Sequence, residues 1–116
     1  MSFRKAVTAA FVAAALAVLY FTLRPGPGGG PFELWDKAQH FTAYVTLAFL
    51  AGLAARDWRQ AALFAIGLAL AGYALEWAQY YVGRSYDLYD ELANSLGCAT
   101  GFIVSSALRT LSRRDA

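Results

Sequence analysis

The stretch Arg84-Ser85-Tyr86-Asp87-Leu88-Tyr89-Asp90-Glu91-Leu92-Ala93-Asn94-Ser95-Leu96-Gly97 crowds one cation, three carboxylates and a carboxamide into a chain that is otherwise strongly apolar. As a helix after Tyr89, it places Asp90, Asn94, Gly97 and Gly101 at steps of four, three and four, on one face. That face is polar where it starts and smooth further on. A helix of this kind needs neighbours that supply polar partners at one end and close apolar contact below.

The rest of the chain says what solvent that helix lives in. Of 116 residues, 59% are hydrophobic and 16% charged, too apolar for an ordinary water-soluble domain of this length. The composition predicts an all-α integral membrane four-helix bundle forming a single domain over residues 1–116, with helices about 6–23, 35–55, 61–81 and 90–108. A secretory signal peptide competes for the first segment, but Arg24-Pro25-Gly26-Pro27-Gly28-Gly29-Gly30-Pro31 after it is a loop and not a small-residue cleavage site, which favours a retained helix. The tract Arg56-Asp57-Trp58-Arg59-Gln60 divides the second helix from the third, and its charges beside Trp58 suit a membrane interface. No strand pattern is present.

Charge sets the expected topology. Four spans put both termini on one side, with Arg4, Lys5, Arg56, Arg59, Arg109, Arg113 and Arg114; Arg24, Lys37 and Arg84 lie on the other. Basic residues favour the cytoplasm, so both termini are expected there, in a multi-pass protein of the bacterial cytoplasmic (inner) membrane. The formal net charge of +2, without a basic run, gives no nucleic-acid surface. Cys98 is the single cysteine and reads as a small buried hydrophobe.

The unusual polar residues all fall toward the external half. Asp36, His40 and Tyr44 are spaced by four at the start of the second helix, with Lys37 beside them. Glu76 and Gln79 share a face near the end of the third, and Arg84, Asp87, Asp90 and Asn94 lead into the fourth. A charge inside a bilayer costs on the order of 2.5 to 3.5 kcal/mol at the centre, so Glu76 needs a partner or a proton; Lys37 and Arg84 are the cations nearby. Each residue also has a plain structural use. His40 can be a satisfied structural histidine, Glu76 with Gln79 interhelical glue, and Asn94, Gly97 and Gly101 foremost a helix-packing face.

The pattern Asp36-Lys37-x-x-His40-Phe41-x-x-Tyr44, then Glu76-x-x-Gln79, then Arg84-Ser85-Tyr86-Asp87-x-x-Asp90-x-x-x-Asn94-x-x-Gly97-x-x-x-Gly101, resembles the VanZ-like family of small bacterial membrane proteins. The resemblance runs from about Trp35 to Gly101. It implies a membrane bundle with an external polar site, and the family is named after a protein associated with teicoplanin resistance.

Three uses of the cluster stay open. As a binding or resistance module, it would hold a lipid head group, a lipid-linked cell-wall intermediate or a glycopeptide, with Arg84 and Lys37 meeting phosphate or carboxylate. As a membrane enzyme, it would use His40 or an aspartate as general base and Arg84 to steady an anionic transition state. As a small proton-coupled transporter it would need a carboxylate nearer the midplane than the pattern provides, and a purely structural assembly, such as a homo-oligomer, is the other form of this reading. The paired carboxylates and the histidine could also hold a divalent cation, but no cofactor motif and no recognised metal-ligand spacing are present, so neither a cofactor nor a metal is expected.

Overall fold

A computed structural model describes the backbone of residues 2–23, 33–81 and 88–114; within these, the side chains of residues 21–23, 33–37, 79, 80, 88, 90, 113 and 114 lie outside the description. The described chain is all-helical: α1 Phe3–Leu23, α2 Glu33–Ala54, α3 Trp58–Tyr81 and α4 Leu88–Arg114.

Local chemistry explains why several helices begin earlier than hydropathy alone predicts. Ser2 caps α1, its hydroxyl accepting from the Lys5 amide at 3.2 Å. Asp57 caps α3 through the Gln60 amide at 2.9 Å, and the Gln60 side chain reaches back to the Arg56 amide at 2.7 Å. This is a reciprocal capping arrangement shifted by one residue. It moves the start of α3 to Trp58 from the expected position near 61. At the far end, α4 continues to Arg114 rather than stopping near 108, because leaving an apolar run does not end a helix.

The α2–α3 turn is clasped by both terminal helices. Arg4 of α1 donates from Nε to the Ala54 carbonyl at 3.0 Å. Arg109 of α4 donates to the Asp57 carbonyl at 3.1 Å and to the Ala55 carbonyl at 3.4 Å. The bonds to Ala54 and Ala55 satisfy carbonyls at the C-terminus of α2, where cations are also favoured by the helix dipole, and the bond to Asp57 reaches the cap of α3. They place the start of α1, the α2–α3 turn and the later part of α4 at one end of the molecule.

The most extensive interface joins α2 and α4. The two run in the same direction, since Gly97 faces Phe41 and Val45, Gly101 faces Val45, Ala48 and Phe49, and Ser105 faces Gly52. A methyl group on Gly97 would stand 2.6 Å from the Phe41 carbonyl oxygen, and one on Gly101 the same distance from that of Val45. Only an absent side chain allows this approach. Beneath it, Tyr44, Leu47, Ala48 and Cys98 form the buried core, with Phe11, Leu68 and Ala69 packed around.

Among the described residues, two helices are long and apolar enough to cross a membrane, Phe3–Tyr20 and Trp58–Ala78, and only 6% and 17% of these stretches are buried within the bundle. Ala38–Ala54 is a shorter apolar stretch. Leu16, Tyr20, Leu63, Ile66, Leu70 and Ile103 all stand on the outer surface.

Candidate functional site

Three helices bring polar side chains together at the end opposite the arginine clasp. His40 lies seven residues into α2, Asn94 six residues into α4, and Glu76 five residues before the end of α3. At 1.5 Å per residue these are depths of roughly 8 to 10 Å. Because α3 runs against the other two, all three reach one level.

Asn94 is the hub. It is 2% exposed, and its Oδ1 lies 3.0 Å from His40 Nδ1. In a neutral imidazole, Nδ1–H donates here and Nε2 becomes the acceptor nitrogen. The amide nitrogen of Asn94 faces Gly72 on α3, where an added methyl would come within 3.0 Å of it and within 3.2 Å of the Tyr44 ring. Gly72 and Glu76 are one turn apart, so a single α3 face supplies the gap for the amide and the carboxylate beside it.

Glu76 is 1% exposed, an acid drawn almost wholly out of solvent. It and Glu91 are both within Coulombic reach of the buried Tyr44 hydroxyl. Glu91, one turn into α4, adjoins His40 and Asn94 and accepts a long hydrogen bond from Ser95 Oγ to Oε1 at 3.4 Å. Its Oε2 is covered and finds no hydrogen-bond partner among the described residues. A buried carboxylate oxygen is costly without a partner, so Glu91 calls for one beyond the described residues or from a ligand.

Of the residues singled out in the sequence, His40, Tyr44, Glu76 and Asn94 come together, and Gly97 and Gly101 line the α2–α4 seam immediately below. The side chains of Asp36, Lys37, Gln79 and Asp90, and Arg84 and Asp87 entirely, lie outside the described residues. The sequence reading gives no site role to Gly72, Glu91 or Ser95. The signals were present as spacings of four: Gly72 before Glu76, and Glu91 before Ser95.

Chemically, the arrangement offers an imidazole, a carboxamide, a phenol and two acids within a small volume. It can accept hydrogen bonds from hydroxyls or amines and can exchange a proton. No group of three His, Cys, Asp or Glu side chains among the described residues is placed to hold a metal ion. No family model, no curated protein and no solved structure matches the chain.

Proposed function

We propose that the chain is a four-span membrane protein with cytoplasmic termini, whose outward-facing polar pocket between α2, α3 and α4 binds the head group of a lipid or lipid-linked cell-envelope intermediate. The single observation that carries this reading is the polar cluster of His40, Tyr44, Glu76, Glu91 and Asn94 set two turns deep in an apolar bundle. Polar groups at such depth are expensive in lipid and recur where a ligand is handled. The Glu91 oxygen that has no hydrogen-bond partner among the described residues is an acceptor open to a hydroxyl or amine of the ligand.

Membrane residence is supported by where the apolar surface lies. A core helix of a soluble protein hides its apolar residues inside; α1 and α3 direct most of theirs outward. The orientation follows from the arginine-rich end, by the preference of basic residues for the cytoplasm. The similarity of the Asp36-to-Gly101 pattern to VanZ-like proteins points in the same direction and makes a contribution to glycopeptide resistance, teicoplanin in particular, the phenotype to examine.

Native mass spectrometry tests the pocket. The detergent-extracted protein is expected to retain or take up a polyprenyl-phosphate-linked ligand, and His40→Ala and Asp90→Asn to lose it while remaining helical. Equal retention by both variants would overturn the assignment.

A further inference from the structure

A cavity lies at the end of the bundle away from the polar cluster. Between α1 and α3, with α2 as its floor, the surface opens into a groove of about 380 Å³, within the range of small-molecule sites. Its walls are apolar: Phe11 on α1, Ala54 on α2, and Leu63, Phe64 and Gly67 on α3, with Thr8 as the polar exception. The Thr8 hydroxyl is turned back onto the Arg4 carbonyl at 2.9 Å, so even this residue adds little polarity to the wall.

Two side-chain rows run along the groove and both end in arginine at the same end. On α1, Arg4 precedes Thr8 by one turn and is held there by its Nε bond to Ala54. On α3, Arg59, Leu63 and Gly67 follow at steps of four. The Arg4 guanidinium has five N–H donors and this bond uses one. Arg59 is exposed and stacks over Trp58 at 5.6 Å, an aromatic–cation pair suited to a membrane interface. Lys5, Arg56 and Arg109 add charge at this end, against one described carboxylate, Asp57.

An apolar trough with a cationic mouth is complementary to an amphiphile with an anionic head. We propose that this groove is a binding site for one anionic phospholipid, its phosphate held at Arg4 and Arg59 and the upper part of an acyl chain laid along Leu63, Phe64 and Gly67. The site faces the leaflet opposite the polar pocket and uses none of that pocket's residues. It anchors the α2–α3 turn, which Arg4 already clasps, to the lipid surface.

Gly67 makes the groove testable without disturbing the bundle, because a methyl there would have no atom within 4 Å. Native mass spectrometry of the full chain, titrated with phosphatidylglycerol or with phosphatidylcholine, is the experiment. One phosphatidylglycerol is expected to bind at least fivefold more tightly than phosphatidylcholine. Arg59→Gln should weaken it roughly fivefold, the attraction attributed to one basic residue near an anionic surface. Gly67→Leu should abolish the first binding event with thermal stability unchanged, and His40→Ala should leave it intact. Equal binding of the two lipids overturns the proposal, as does full phosphatidylglycerol binding by Gly67→Leu or a homodimer that dissociates in that variant. The proposal rests on the membrane-spanning reading, which is checked separately: the protein should resist alkaline carbonate extraction and yield only to detergent.

Discussion

At the scale of single residues, the molecule depends on a carboxamide that joins three helices. Asn94 faces His40 through its oxygen and the Gly72 gap through its nitrogen. Removing one member of a buried pair leaves the other unsatisfied, at about 1–3 kcal/mol, whereas the pair itself contributes less inside a membrane, about 0.6 and at most about 1.7 kcal/mol. Asn94→Ala should therefore destabilise the detergent-solubilised protein by more than the coupling that a His40→Ala/Asn94→Ala double-mutant cycle returns. Chemical unfolding measured by circular dichroism gives both quantities, and a coupling of zero would mean that the 3.0 Å contact contributes nothing. Gly72→Ala is a gentler probe of the same hub. Its methyl would press on the Asn94 amide and the Tyr44 ring at 3.0 and 3.2 Å, distances that small side-chain shifts can relieve. A modest loss of stability, together with displaced His40 ring resonances in an NMR spectrum, is the expected result; an unmoved imidazole would separate Gly72 from the site.

At the scale of the element, the α2–α4 seam and the α2–α3 turn set the geometry. The obstruction at Gly97 and Gly101 is backbone, which cannot swing aside as a side chain does. Overpacking costs about 1–3 kcal/mol, against roughly 1 kcal/mol gained from the better helix propensity of alanine. Gly101→Ala, with the Val45 carbonyl oxygen at 2.6 Å and the Phe49 amide nitrogen at 2.7 Å, should consequently lower the unfolding temperature, while Gly67→Ala, in open space, should leave it level or raise it. The same sign for both would refute the close-packed seam. The chain's four helices and their breaks are legible beforehand, since Pro25 to Pro31 and the charged tract at 56–60 interrupt apolar runs that nothing else divides. The helix starts are less so, because hydropathy does not register a cap: Asp57 and Gln60 bring α3 forward through hydrogen bonds rather than through apolar character. In the site, spacings of three and four reveal which residues share a helix face, as with Asn94, Gly97 and Gly101. They do not reveal which face meets which. His40 has Asp36 one turn away on its own helix, yet its described partner is Asn94, 54 positions along the chain. That pairing follows from the register between α2 and α4, a property of the packed glycines and not of any local pattern.

For the whole molecule, the distribution of polarity implies a direction. One end carries the clasp of Arg4 and Arg109 about the α2–α3 turn; the other carries the cluster of His40, Glu76, Glu91 and Asn94. An apolar girdle of exposed residues, including Leu16, Leu70 and Ile103, separates them. In water this surface would drive aggregation, whereas in a bilayer it costs nothing, and the two polar ends then belong to two different aqueous phases. Single-cysteine labelling reads the direction. Cys98 is buried and supplies a low background, while Ser2, Tyr89 and Ser112 are exposed. With a membrane-impermeant maleimide on intact cells, Tyr89→Cys should react, and Ser2→Cys and Ser112→Cys should react only after lysis. Labelling of Ser2→Cys and Ser112→Cys from outside with Tyr89→Cys protected would invert the molecule, turning the polar pocket toward the cytoplasm and excluding an extracellular glycopeptide as its ligand. Labelling of all three positions before lysis, in cells that exclude a small dye, would break the shared side of the two termini and with it the four-span arrangement. Only the first pattern sets the His40–Asn94 cluster where a cell-envelope head group can reach it.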